Sequence, residues 1–406
     1  MHDTAESAAF GAALPREGAI PMKAKTIGLK GSFLMGAAAI FAASAAQADA
    51  LSTPSMSGPL AANASPTSFD VGDLGKIYVT GAVSGLAMYQ TNHVPGDKDW
   101  MADFSNAQLS IQKNDGLVQF YAQVGGYSLP ALDTGYVRAT TQTANSFGIL
   151  PVAYLKIAPT DTFNIEAGRL PTLIGAEYTF TFENLNIERG LLWNQEPAIS
   201  QGVQANYTMG PVSLSASLND GLFSNRYNWI TGSVGYTIST TDTVTAVAGG
   251  NLGHTHYGYP INGPATGFAN SLTQNNESVY NLIWTHTEGP WTITPYVQYT
   301  SVPKLLGLPS ASTIGGAVLA NYAFSSAWSL GGRFEYISSS KNSFLELNGP
   351  GSKALSVTIT PTYQYKIFFV RGEGSYTGLS HAPFGFGISG TKTDQFRVLL
   401  ETGIIF

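Results

Sequence analysis

The sequence predicts an all-β protein, a transmembrane antiparallel β-barrel of about 16 strands, with 14–18 compatible with the pattern. Three observations predict it. Apolar and polar residues alternate with period two along much of the chain. Very short turns alternate with long links. The composition is 44% hydrophobic, 12% aromatic and only 11% charged over 406 residues, yet no run of about 20 apolar residues follows position 50. The hydrophobic content excludes disorder. The missing apolar run excludes membrane helices beyond that point. A barrel reconciles the two, because its lipid-facing residues are diluted by alternation with polar ones.

From the N-terminus, Met22 is the expected start of "MKAKTIGLKGSFLMGAAAIFAASAAQADA". It has a basic stretch (Lys23, Lys25, Lys30), then a small, apolar one, then Ala46-Gln47-Ala48 as cleavage site, with Ala48-Asp49-Ala50 as second choice. This is the pattern of a bacterial Sec-type signal, and the short apolar run ending in small residues argues against a membrane anchor. Residues 1–48 therefore read as an upstream extension plus signal peptide. Their removal takes 4 of the 20 basic and 3 of the 26 acidic residues, leaving net charge −7. That balance excludes nucleic acid as partner, which needs a basic surface. The exported chain has no cysteine, so its stability must come from a hydrogen-bonded framework rather than from disulfides. Residues 49–75, rich in Ser, Pro and Ala up to about 70, read as a flexible periplasmic lead, too short for a plug domain.

The barrel is assigned to residues 76–406. In 212–219, Val212, Leu214, Ala216 and Leu218 alternate with Ser213, Ser215, Ser217 and Asn219; 291–300 and 355–364 repeat the pattern. Short turns fall at 113–116, 158–161, 209–211, 239–242, 288–290, 325–327 and around Lys366. Long links fall at 91–103, 129–149, 171–199, 220–228, 254–276, 301–311, 339–352 and 378–392. Seven short turns and eight long links give about 16 strands with both ends on the short-turn side, which is the asymmetry of short periplasmic turns and long external loops. Aromatics gather beside the short turns, as at Tyr207, Trp291, Tyr322, Phe324, Trp328, Tyr363 and Tyr365. Interfacial girdles account for this, and cross-strand packing is the alternative.

The chain ends "DQFRVLLETGIIF". Phe396, Val398, Leu400, Thr402, Ile404 and Phe406 share one face, while Arg397 and Glu401 lie on the other. Such a strand is expected to pair with the first and remove the sheet edge, with its apolar face to acyl chains. The terminal Phe406 resembles the C-terminal signature of bacterial outer-membrane proteins, which implies recognition by the barrel assembly machinery and localisation in the bacterial outer membrane.

Residues 167–207 carry Gly168-Arg169, Gly175-Ala176-Glu177, Asn184 and Asn186, Arg189-Gly190, and Pro197 to Gly202-Val203. This stretch resembles the diagnostic region of the putative β-barrel porin-2 family of OmpL-like bacterial outer-membrane porins. Ser200-Gln201-Gly202-Val203 stands where that family has His-Thr-Gly-Val, and Glu188 and Gly190 replace serines around the Arg. The resemblance implies a pore-forming outer-membrane barrel with a long third loop.

Candidate pore-lining residues follow from charge and period. The link 171–199 carries Glu177, Glu183, Glu188 and Arg189, and either folds inward to narrow the pore or caps it from outside. Arg333/Glu335, Arg371/Glu373 and Arg397/Glu401, together with Lys156 and Glu166, must face the lumen, because an Arg or Lys facing lipid at mid-depth costs about 2–4 kcal/mol. There they set a field across a hydrated passage or cross-pair to stiffen the wall. His254 and His256 read as loop histidines, since zinc would need further ligands. No catalytic, cofactor or metal site is expected. His286 has no flanking serine for a hydrolase, and "VAGGN" at 247–251 has no Lys-Ser/Thr of a nucleotide loop. The expected function is a porin passing small hydrophilic solutes or ions, weakly favouring cations through its excess acid. The alternative is a non-conducting adhesin or structural barrel acting through its external loops. The expected partners are outer-membrane lipids, the assembly machinery and the solutes, with a homotrimer left open by the sequence.

Overall fold

The computed structural model describes residues 51, 53–94, 96–255, 273–304, 307, 309–343, 345 and 347–406. The signal-like segment and His256 lie outside the described residues. Strands form where the period-two pattern places them: β1 Thr67–Asp70, β2 Lys76–Gln90, β3 Trp100–Lys113, β4 Val118–Tyr127, β5 Val152–Thr160, β6 Phe163–Pro171, β7 Ile199–Met209, β8 Val212–Asn219, β9 Trp229–Thr237, β10 Asp242–Asn251, β11 Ser278–Glu288, β12 Trp291–Val302, β13 Ala311–Ala323, β14 Trp328–Ser339, β15 Lys353–Tyr365, β16 Phe368–Ser380 and β17 Asp394–Ile405. A helix, α1 Ala139–Asn145, lies in the link after β4.

From β2 onward each strand pairs antiparallel with the next, and β17 pairs back onto β2 from Arg397↔Gln90 to Ile405↔Ala82. The described strands β2–β17 thus close a ring of sixteen, and every ladder amide and carbonyl finds a partner without an open edge. Phe406 completes the seam: its N–H and C=O both bond Gly81, at 3.0 and 2.8 Å. A Cβ on Gly81 would stand 2.6 Å from the Phe406 ring, so the closing aromatic requires a glycine beneath it. The short strand β1 pairs with residues 76–79 of β2, on the edge that β17 leaves.

The outer face is apolar. Leu214, Val297, Ile359, Val398 and Leu400 are exposed there, with Tyr207, Tyr236, Trp291, Phe324, Trp328, Tyr365 and Phe368 near the short turns. Rings pair across strands, Trp291 with Tyr322 at 4.6 Å and Trp328 with Tyr363 at 4.7 Å. A second row, Tyr280, Tyr299, Tyr336, Tyr376 and Phe396, stands near the long-loop end. Two aromatic rows about an aliphatic band form the profile of a barrel spanning a bilayer.

Two segments enter the ring. The first is the link after β6, residues 172–198, of which nearly every residue is buried. The second corrects an expectation. The lead was read as flexible, but its described part is seated in the short-turn mouth. Ser57 N–H donates to the Glu183 carbonyl at 2.8 Å, Gln112 Nε2 to the Thr53 carbonyl at 2.6 Å, and Leu60 is buried. The polar composition concealed this because Met56 and Leu60 suffice to anchor a short segment whose backbone is hydrogen-bonded.

Candidate functional site

The six wall charges on β14, β16 and β17 point inward and are fully buried. Period two dictates this, since each Arg-x-Glu or Arg-x-x-x-Glu spacing keeps both ends on one face. What they meet is the inserted loop. On β14, Arg333 NH1 donates to Glu177 at 2.6 Å and to the Glu188 carbonyl at 2.7 Å, and its Nε stands 3.1 Å from Glu335. Glu335 accepts the Leu191 amide at 3.0 Å and Ser356 Oγ at 2.7 Å. On β16, Arg371 donates to the Thr181, Asn184 and Leu185 carbonyls at 2.8, 3.1 and 2.6 Å, while Glu373 accepts the amides of Ile187 and Glu188. On β17, Arg397 donates to Glu188 at 2.7 Å, to the Ala131 carbonyl at 2.8 Å and to the Thr134 carbonyl. Glu401 accepts Thr181 Oγ1 at 2.6 Å and Ser105 Oγ at 2.7 Å, with Arg371 3.5 Å away.

Guanidiniums thus take loop carbonyls, and carboxylates take loop amides. Hydrogen bonds to charged groups contribute about 1.5–3 kcal/mol each, so the seam holds an irregular backbone that would otherwise be costly to bury. Gly190 is part of it: a Cβ there would stand 2.1 Å from Glu335 Oε1. The link after β4 joins in, with the Arg189 amide donating to the Pro130 carbonyl and the Leu132 amide to that of Arg189, both at 3.0 Å.

Of the sequence candidates, Glu177, Glu188, Arg189, Arg333, Glu335, Arg371, Glu373, Arg397 and Glu401 come together at this seam. The charges on β14, β16 and β17 bond the inserted loop as well as one another. Glu183 sits apart, its carboxylate accepting the Phe180 amide at 3.3 Å while burial pushes it up to about 8. Lys156 and Glu166 lie on β5 and β6, 3.6 Å from each other, away from the seam. Sequence reasoning missed Ser105, which a register shift between β2 and β3 turns inward beside Asn106. It also missed Thr181 and the lead; the apolar Met56 and Leu60 within a Ser/Pro/Ala stretch are the signal that could have found the latter.

The opposite wall differs. Inward positions of β7–β10 include Gln204, Asn206, Thr208, Ser213, Ser215, Ser217, Asn219, Thr231, Ser233, Thr243 and Thr245, with no ionisable group. Thr208, Ser213, Ser233, Thr243 and Thr245, at the short-turn end, are only half-buried. Among the described residues no group of three or more His, Cys, Asp or Glu converges for a metal. His254 is exposed, and His286 pairs with Asp242 at 2.9 Å.

Comparison with protein families matches residues 76–406 to "Putative beta-barrel porin-2, OmpL-like". No curated protein matches the chain. Solved barrels share the fold. An anion-selective porin from Comamonas acidovorans is 12% identical with TM-score 0.57, covering 81% of this chain and 99% of that one. The outer-membrane channel DcaP of Acinetobacter baumannii is 11% identical with TM-score 0.56, covering 83% and 99%. The trimer form of OmpT of Vibrio cholerae is 12% identical with TM-score 0.53, covering 81% and 99%.

Proposed function

This chain belongs to the putative β-barrel porin-2, OmpL-like family, an outer-membrane barrel with the channel architecture of porins, and from that premise we propose that it passes small hydrophilic solutes by passive diffusion along its uncharged wall. One observation carries the reading. The loop 172–198 is fastened to β14–β17 by ionic groups, leaving the half-buried Thr208, Ser213, Ser233, Thr243 and Thr245 of β7–β10 as the inward side chains a solute would touch. Hydroxyls and amides can exchange hydrogen bonds with a passing solute one for one, without trapping it as a buried charge would. The reading implies weak discrimination between cations and anions, because the wall charges are matched within the seam. No chemical step is part of it. Stepwise conductance of the purified protein in planar bilayers, with uptake of small sugars and amino acids into liposomes, tests it. The absence of both sinks it.

A second reading, a non-conducting barrel, has one observation in its favour: loop and lead together leave few inward side chains exposed. It predicts no conductance from any variant. The long-loop binding surface it would use, 254–276, lies mostly outside the described residues.

For assembly, the Phe406 contact with Gly81 supports a role for the terminal aromatic in barrel closure as well as in recognition by the assembly machinery. Phe406→Ala should lower the assembled yield in cells while in-vitro refolding in detergent is unchanged; equal losses in both would leave closure alone. The trimer form of the Vibrio cholerae barrel is the basis for proposing a homotrimer, which native mass measurement in detergent checks; a monomer there removes it.

A further inference from the structure

The lead crosses the short-turn mouth along a diameter. At one side the Thr53 carbonyl accepts Gln112 Nε2 from the end of β3, and Pro54 and Ser55 share a cavity with Tyr121 of β4. Ser57 reaches the other side, sharing a cavity with Thr292 and Thr294 of β12 and Asn321 of β13. Strands β4 and β12 stand eight places apart in a ring of sixteen, so they face each other. Between them the Ser57 amide bonds the Glu183 carbonyl of the inserted loop. The chain then returns through buried Leu60 to β15, where the Ala61 amide donates to Gln364 Oε1 at 2.7 Å and Gln364 Nε2 to the Ala61 carbonyl at 2.9 Å.

We propose that residues 53–63 are a removable plug that closes the passage from the short-turn, periplasmic side. Two features fit a gate better than a permanent wall. The segment from Leu51 to Phe69 carries no charge, so it can enter and leave a narrow lumen without stripping an ion of water. Its hold is also slight: a few hydrogen bonds and the apolar groups of Met56, Pro59 and Leu60, with no strand pairing until β1. The inserted loop, by contrast, is fixed by three strands of ionic contacts. Segments with few buried contacts open first, and order–disorder of such a segment is a known kind of switch. The tether β1, paired with β2 outside the seam, would keep a released plug beside the mouth.

The proposal rests on the porin reading, and the test separates the two. Conductance in planar bilayers is compared between the purified protein, a variant lacking residues 51–65, and Leu60→Glu, which places a charge in the seat. Folding of each is checked by heat-modifiable gel mobility. Several-fold higher conductance from both variants supports the plug. Equal conductance from all three overturns it and leaves the porin standing, whereas silence from all three overturns both. A second readout needs no channel. In this cysteine-free chain Ser57→Cys should react with a membrane-impermeant maleimide many times more slowly than Ser68→Cys on exposed β1, and Leu60→Glu should erase the difference. Equal rates in the otherwise unchanged protein would mean that the lead is not seated.

Discussion

The walls built by β14–β17 and by β7–β10 have the same backbone, the same pairing and the same apolar outer face, yet their inner faces are opposites. The first carries three arginines and three glutamates, all buried and all bonded to the loop 172–198 or to one another. The second carries hydroxyls and amides that bond among themselves, as Gln204 to Asn206 at 2.9 Å and Asn219 to Ser217 at 2.9 Å. The charge on β14, β16 and β17 marks where the loop is fastened, and the wall of β7–β10 is free of charge. Inward charge in a barrel therefore need not mean ion selection. Isolated buried ions are costly, and their cost is offset on β14, β16 and β17 because each of the six guanidiniums and carboxylates finds a complementary backbone or side-chain partner.

The comparison can be broken most severely at Arg333. Arg333→Met leaves Glu177 and Glu335 buried without their cation, an error of about 3–5 kcal/mol. Thermal unfolding in detergent should fall sharply and single-channel conductance should rise as the loop comes away; an unchanged protein would mean that the seam does not hold the loop. Gly190→Ala asks the same of packing alone. Its Cβ would collide with Glu335, so a loss of about 1–3 kcal/mol is expected, and a neutral result would show that the loop can shift freely.

Glu183 supplies a gentler lever through pH. Its carboxyl rises from 4.5 to about 8 in the seated loop, chiefly through burial. Below 4.5 both the seated and released forms are protonated and the seat is at full strength. Between 4.5 and 8 only the seated form keeps the proton, so seating weakens as pH rises, and above 8 the loss is complete. Conductance should therefore climb through that window, and Glu183→Gln should reduce the climb. A profile that Glu183→Gln leaves unaltered would point to another group. The smallest expected effect is on the neutral wall. Ser233→Asp at its half-buried end should shift stability by under about 0.5 kcal/mol while turning the channel toward cations; an unaltered reversal potential would place the solute path elsewhere.

The strands were legible because a bilayer enforces period two on each of them: Leu214 and Ser213 cannot exchange faces. Closure was legible in the final run, where Phe396, Val398, Leu400, Thr402, Ile404 and Phe406 share one face and the strand pairs with β2. Even the inward direction of Arg333, Arg371 and Arg397 followed from the cost of the alternative. Their partners did not. Glu373 takes the amides of Ile187 and Glu188, and Arg371 takes three loop carbonyls, groups that every residue possesses and that no side-chain pattern announces. Ser105 turns inward through a register shift with no mark in the alternation. The seat of the lead is hidden from composition because it depends on Leu60 and a handful of backbone contacts.

Reversal potential across a bilayer under a KCl gradient tests most directly whether the wall charges fasten the loop instead of selecting ions. A value near zero for the unmodified protein, moving away from zero in Arg333→Met as Glu177 and Glu335 lose their cation, is the expected result. A strongly ion-selective unmodified channel whose selectivity collapses in Arg333→Met would contradict it, placing those charges on the conducting path.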